Sequence, residues 1–139
     1  MNASKSLEQF LIFLCHFPID EPAVEDLYTS LQKEGFYLWS AAKSLLPGQE
    51  RQLQIRKALR SAEVVIICLS SASVDAVSYV QREIKYALDI AEEQPEGNIF
   101  VIPLRLDYCQ IPDGLSHLQP VDIFEAEGYD KLVRALKFR

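Results

Sequence analysis

Glycine is scarce in this chain, five in 139 residues, and no two stand close enough to build a phosphate-binding loop. The GxxxxGK[ST] and GxGxxG patterns both need glycines for close backbone approach, and the first apolar run is followed instead by His16, Phe17 and Pro18. Nucleotide binding by that route is excluded. Long apolar runs are also missing: Phe10 to Cys15 and Val64 to Leu69 stop at strand length, short of the roughly 18 residues that span a bilayer. Met1 to Gln9 carries Lys5 and Glu8 and no apolar core of a secretory signal, so a cytoplasmic address is expected, with no membrane partner. Positive charge is in deficit, 14 Lys and Arg against 20 Asp and Glu for a net charge of −6, which opposes nucleic-acid binding. The one basic cluster, Arg51, Arg56, Lys57 and Arg60, lies on a predicted helix and reads as a solvated face, with a contact surface for an acidic partner as the alternative.

Cysteines number three, an odd count, and Cys15 and Cys68 sit inside apolar runs where a thiol serves as a small hydrophobe, so no disulfide framework is expected. Cys15 and His16 are neighbours on a predicted strand, where their side chains point to opposite faces. Cys109 and His117 lie in an irregular loop without a carboxylate placed to orient the histidine. Neither pair makes a convincing metal site or Cys-His nucleophile, and no metal is expected.

What is present is an alternation of apolar runs with helix-period segments, the pattern of βαβ units around a buried parallel sheet. Strands are predicted at Phe10 to Cys15, Phe36 to Trp39, Glu63 to Leu69, Asn98 to Leu104 and near Val121 to Phe124. Between them, Val24, Leu27, Tyr28 and Leu31 recur at helical spacing, with Asp20 and Pro22 suited to the start of that helix and Gly35 to its end. Val77, Val80, Ile84, Leu88 and Ala91 mark a long helix, and Tyr129, Leu132, Val133 and Leu136 a closing one. Ser40 to Gly48 reads as a nine-residue loop. The chain is expected as one α/β domain over residues 1–139, its five-stranded parallel sheet in the order 2-1-3-4-5. Ligands would bind at the carboxyl ends of the first and third strands, an edge built by Cys15 to Glu21 and Ser70 to Tyr79. Fold does not fix function, however. A phosphoacceptor receiver would end its third strand with aspartate, and this one ends Cys68-Leu69-Ser70-Ser71. A flavin site would want hydroxyl residues after the first strand, and that loop has none.

Phe36-Tyr37-Leu38-Trp39, Leu45-Leu46-Pro47-Gly48-Gln49, Val64 to Ser70 and Tyr79-Val80-Gln81-Arg82-Glu83-Ile84 resemble successive signature blocks of bacterial TIR (Toll/interleukin-1 receptor) domains. The likeness continues through Ile99 to Leu106 and Leu118 to Phe124. It implies a flavodoxin-like three-layer sandwich in signalling or defence that assembles with other TIR domains, or itself, through Leu45, Leu46, Pro47 and Gly48. It also implies hydrolysis of NAD⁺, a substrate and not a cofactor, at the nicotinamide-ribose bond; hydrolysis against cyclisation depends on water access to the intermediate. Glu83 matches the family's catalytic glutamate, and Tyr79, His16, Phe17, Asp20 and Trp39 fall at expected substrate-binding positions. Helical phase places Glu83 on a flank with Tyr79, Tyr86 and Ile90, bordering a cleft. The chain departs from the family where Tyr79 stands in place of a common tryptophan, where Ser40-Ala41-Ala42 follows Trp39 in place of acidic residues, and where Phe13-Leu14-Cys15-His16-Phe17 replaces a hydroxyl-rich segment. The alternative function is therefore a non-catalytic adaptor acting by homotypic contact.

Overall fold

The computed structural model describes residues 10–75 and 80–138. Its elements are β1 (Leu11–Cys15), α1 (Glu21–Lys33), β2 (Tyr37–Trp39), α2 (Ala41–Ser44), α3 (Arg51–Ser61), β3 (Val64–Leu69), α4 (Val80–Ala91), β4 (Val101–Arg105), β5 (Val121–Asp122) and α5 (Gly128–Phe138), with short 3₁₀ turns at Pro18–Asp20 and Asp113–Leu115. All strand pairs are parallel and the order is β2-β1-β3-β4-β5, as the alternation of runs predicted.

Each unbroken apolar strand divides its side chains between two cores, because successive residues face opposite sides of the pleat. Phe13, Cys15, Val65, Ile67 and Leu69 pack with Ile55 and Leu59 of α3 and Ile84, Ala87 and Ile90 of α4. Ile12, Leu14, Val64, Ile66 and Cys68 pack on the other side with Val24, Leu27 and Leu31 of α1 and Leu132 and Leu136 of α5. The three layers follow. Gly35, at φ 100°, ends α1 as predicted: its N–H donates to the Gln32 carbonyl and the next N–H, of Phe36, reaches back to Leu31.

Local differences from the predicted elements have visible causes. Ser40 to Gly48 is not a plain loop, because Ser40 Oγ accepts from the Lys43 N–H at 3.4 Å and caps the helical turn α2. Lys43 then ties that turn to α1 through Glu25 at 3.0 Å and lies over the Tyr28 ring. β4 begins at Val101, since Asn98 is turned back onto the Pro95 carbonyl at 3.0 Å after Gly97, at φ 87°. β5 stops at Asp122, whose carbonyl closes a turn with the Glu125 N–H at 3.1 Å. The Phe100 carbonyl and the Leu106 N–H both bond toward β3, so the odd-numbered residues of β4, Pro103 among them, turn their backbone toward β5. Proline is tolerated there because that side of β4 is paired only from Leu104 onward. No described helix is long and apolar enough to cross a membrane.

Candidate functional site

β1 and β3 leave the sheet in opposite directions from their carboxyl ends, and the gap between their exits is bridged by a buried polar contact. Ser70 Oγ donates to Asp20 Oδ1 at 2.6 Å, and the Ser70 N–H donates to Ser73 Oγ at 3.0 Å. Asp20 therefore makes no side-chain cap on α1, the role its position suggested; it joins the loop after β1 to the loop after β3.

Beside this bridge lies a cleft of about 140 Å³ lined by residues that include Cys15, His16, Glu21, Ala41, Ala42, Arg51 and Glu83. Glu83 comes from the first turn of α4 and is 7% exposed. It is more deeply placed than a flank position implied, because α4 is packed against both the sheet and α3, which widens its buried arc to take in Glu83 and Ile90. Its Oε1 meets the Cys15 thiol at 3.8 Å, and its Oε2 has no hydrogen-bond partner within the protein. Burial pushes the Glu83 carboxyl above its ordinary pKa, while the charge of Arg51 and the Cys15 contact act against that rise. The Cys15 thiol is itself pushed well up by burial and by the neighbouring Glu83, so it stays protonated and acts as a weak donor. His16 is held below its ordinary pKa by burial, against the pull of Glu21 and Asp20, and presents a neutral ring whose Nδ1 has no partner within the protein. A buried carboxylate with a free oxygen, a cation and a neutral imidazole thus converge on one small space, which suits a ligand with a developing positive charge near a polar ring.

The structure brings together Glu83 and His16 from the residues singled out in the sequence. Tyr79 lies outside the described residues. Phe17 is buried in the core, and Trp39 stacks on Phe13 with ring centroids 5.0 Å apart, so neither lines the cleft. Asp20 is close by but turned to Ser70. Leu45 to Gly48 forms the far end of the connection from α2, where the Gln49 N–H bonds the Leu46 carbonyl at 3.1 Å and Gly48 stands at φ 90°. With Pro47 before that glycine, this is a type II turn, and it leaves Leu46 63% exposed. Cys15 and Glu21 bound the edge expected to bind ligands but were given no role of their own, and Arg51 was not singled out. Arg51 was grouped with a solvated basic face, yet it turns into the cleft, and Arg60 of the same face clasps Glu93 at 2.8 Å and Tyr86 at 3.2 Å.

A larger hollow of about 890 Å³ opens along the β4–β5 border of the sheet, lined by Ile99, Phe100, Leu118 and Leu132 among others. Its ion pair, Arg105 with Asp122 at 2.6 Å, is mutually satisfied. Buried carboxylates with an unpartnered oxygen are found instead at the β1–β3 gap, which makes the small cleft the better candidate.

The family model described as TIR domain matches residues 12–136. The uncharacterized protein y4cD of Sinorhizobium fredii is 31% identical over 124 residues, 86% of this chain but 19% of that protein, so the chain spans about a fifth of that relative's length. Among solved structures, the TIR domain of the Toll-related Receptor TRR-2 from Hydra magnipapillata superposes with a TM-score of 0.75 at 17% identity, covering 91% of this chain and 97% of that one. A metazoan TIR-STING receptor from C. gigas gives 0.76 at 19% identity, covering 97% of this chain and 42% of that one.

Proposed function

The chain belongs to the TIR domain family, and from that premise we propose that it serves cytoplasmic signalling or defence and, when self-assembled, hydrolyses NAD⁺ at the nicotinamide-ribose bond. The observation that carries the enzymatic reading is Glu83, a carboxylate buried at the mouth of the sheet with one oxygen unpartnered and facing a cleft. Cleaving a pyridinium N-glycoside breaks the bond between ribose C1′ and the ring nitrogen. The electron pair goes to the ring, which leaves as neutral nicotinamide without needing a proton. Positive charge is left on the ribose until water adds at C1′ and releases one proton. A single carboxylate suffices for this, unlike the paired acids that an ordinary glycoside requires, and its task is electrostatic.

The cleft volume, about 140 Å³, is well below the roughly 300–1,000 Å³ of a complete small-molecule site. It suits one ring and its ribose, with the rest of the dinucleotide lying along the mouth where a neighbouring domain would wall it in. Assembly through the Leu46-Pro47-Gly48 turn supplies that neighbour. The small cleft also favours the second reading, a homotypic adaptor without turnover, since Ala41 and Ala42 line it without polar groups. The two are separated by measuring nicotinamide release from NAD⁺ at rising protein concentration and under crowding. Release that climbs faster than protein concentration supports an assembled enzyme, and none at any concentration leaves the adaptor.

A further inference from the structure

Among the described residues lining the cleft, Arg51 carries the only full positive charge; His16 is held neutral, and Glu21 adds a second carboxylate. The surroundings of Glu83 otherwise work against its ionised form. Burial strips its water, and Cys15 on β1 offers in return only a weak thiol donor at 3.8 Å. The basic residues beside it on α4, Arg82 and Lys85, are exposed, and Arg105 at the carboxyl end of β4 is held in its ion pair with Asp122 at 2.6 Å. A neutral glutamic acid would lose most of its power to stabilise a developing cation.

We propose that Arg51 is a positioning residue that keeps the Glu83 carboxylate charged and turned into the cleft. This rests on Glu83 being the reacting carboxylate, as argued above. Local helix electrostatics do not favour a cation there. Arg51 is the first residue of α3, its first turn has no acidic residue, and the Glu50 side chain makes no cap bond; a positive charge at a helix N-terminus opposes the dipole. Its place is nonetheless firmly set. Ile55, Ala58 and Leu59 bury α3 against the sheet, and the Arg60 clasp to Glu93 and Tyr86 ties α3 to the helix that carries Glu83. On its other side, Arg51 begins two residues after Gln49, whose side chain accepts from the Leu46 N–H at 2.8 Å and seats the Pro47-Gly48 turn. The charge beside Glu83 is thus held between a rigid helix pair and the loop through which we expect assembly.

The test is a carboxyl-carbon NMR titration of Glu83 in the wild-type protein and in Arg51→Gln and Arg51→Lys, alongside pH profiles of nicotinamide release. Arg51→Gln is expected to raise the Glu83 midpoint by about 0.5–1 pH unit and shift the acidic limb of the rate profile upward equally, with Arg51→Lys close to wild type. If Arg51→Gln does not fold, Arg51→Met keeps the apolar stem and reads the same midpoint. An unmoved midpoint in a folded variant overturns the proposal. A midpoint that moves in a protein releasing no nicotinamide removes the reaction while leaving the Arg51–Glu83 relation standing, so the two failures are distinct.

Discussion

Replacing Glu83 by glutamine removes a charge and keeps the shape of the side chain, so its effect on turnover measures electrostatics with little interference from packing. Burial decides the magnitude. A carboxylate about 4 Å from a unit positive charge gains only about 1 kcal/mol in bulk water, a factor of about 5 in rate, but about 4 kcal/mol at the effective dielectric of a partly buried site, a factor approaching 1,000. With Glu83 7% exposed, nicotinamide release should fall at least about 100-fold, the scale of losing one main stabiliser. Stability should move the other way. The folded-state pKa of Glu83 is raised by burial, so its contribution to stability is fully present below the unfolded value of about 4.3 and is lost as pH rises through the folded value. Glu83→Gln should therefore melt no lower than wild type at pH 7.5, and its advantage should shrink toward pH 4. Nicotinamide quantified by chromatography and melting curves at both pH values check this. A folded variant with retained turnover removes Glu83 from the chemistry, and one clearly less stable at pH 7.5 refutes the desolvation argument.

Leu46→Asp at the exposed turn should leave stability within about 0.5 kcal/mol, as for most surface changes, while reducing self-association in sedimentation and lowering any NAD⁺ cleavage with it. Gly128→Ala should destabilise by about 1–3 kcal/mol or more, measured by urea unfolding, because the added Cβ meets the Asp122 backbone carbonyl, which cannot move without shifting β5. An unchanged midpoint would mean that α5 slides freely along β5. Asp20→Ala should cost about 1–3 kcal/mol by removing the short, charge-assisted acceptor of buried Ser70 and leaving its Oγ only the 3.2 Å contact with Ser73 Oγ, with increased hydrogen exchange in the loops after β1 and β3; no change there would show that the bridge does not join them.

The sheet order was legible because strand-length apolar runs and helix-period segments alternate without interruption, and Gly35 punctuated the first helix where Leu31 could be reached from Phe36. The ends of β4 and β5 were less so, since Ile99, Ile123 and Phe124 continue the apolar character past turns set by Gly97 and by Asp122. A signal for α2 did exist in Ser40 followed by two alanines and Lys43. The cleft was legible only at Glu83 and His16. Cys15 sits in an apolar run and reads as core, which it also is. Arg51 shares its helix with three other basic residues, and nothing in spacing says which one turns inward from the first turn. For Phe17 and Trp39 the ambiguity is intrinsic, because an aromatic beside a site and an aromatic beneath it give the same pattern.

The proline in β4 bears on how this domain tolerates crowding. A concentrated protein with an uncovered strand border risks pairing indiscriminately through its backbone and growing into fibres. Here β5 covers only the last two residues of β4, yet Pro103 offers an incoming strand no N–H along that border, leaving Val101 as the lone donor on the strand's outer side. On this border a chain at high local concentration finds little backbone to pair with, which leaves contact there to side-chain surfaces, where it can be reversed.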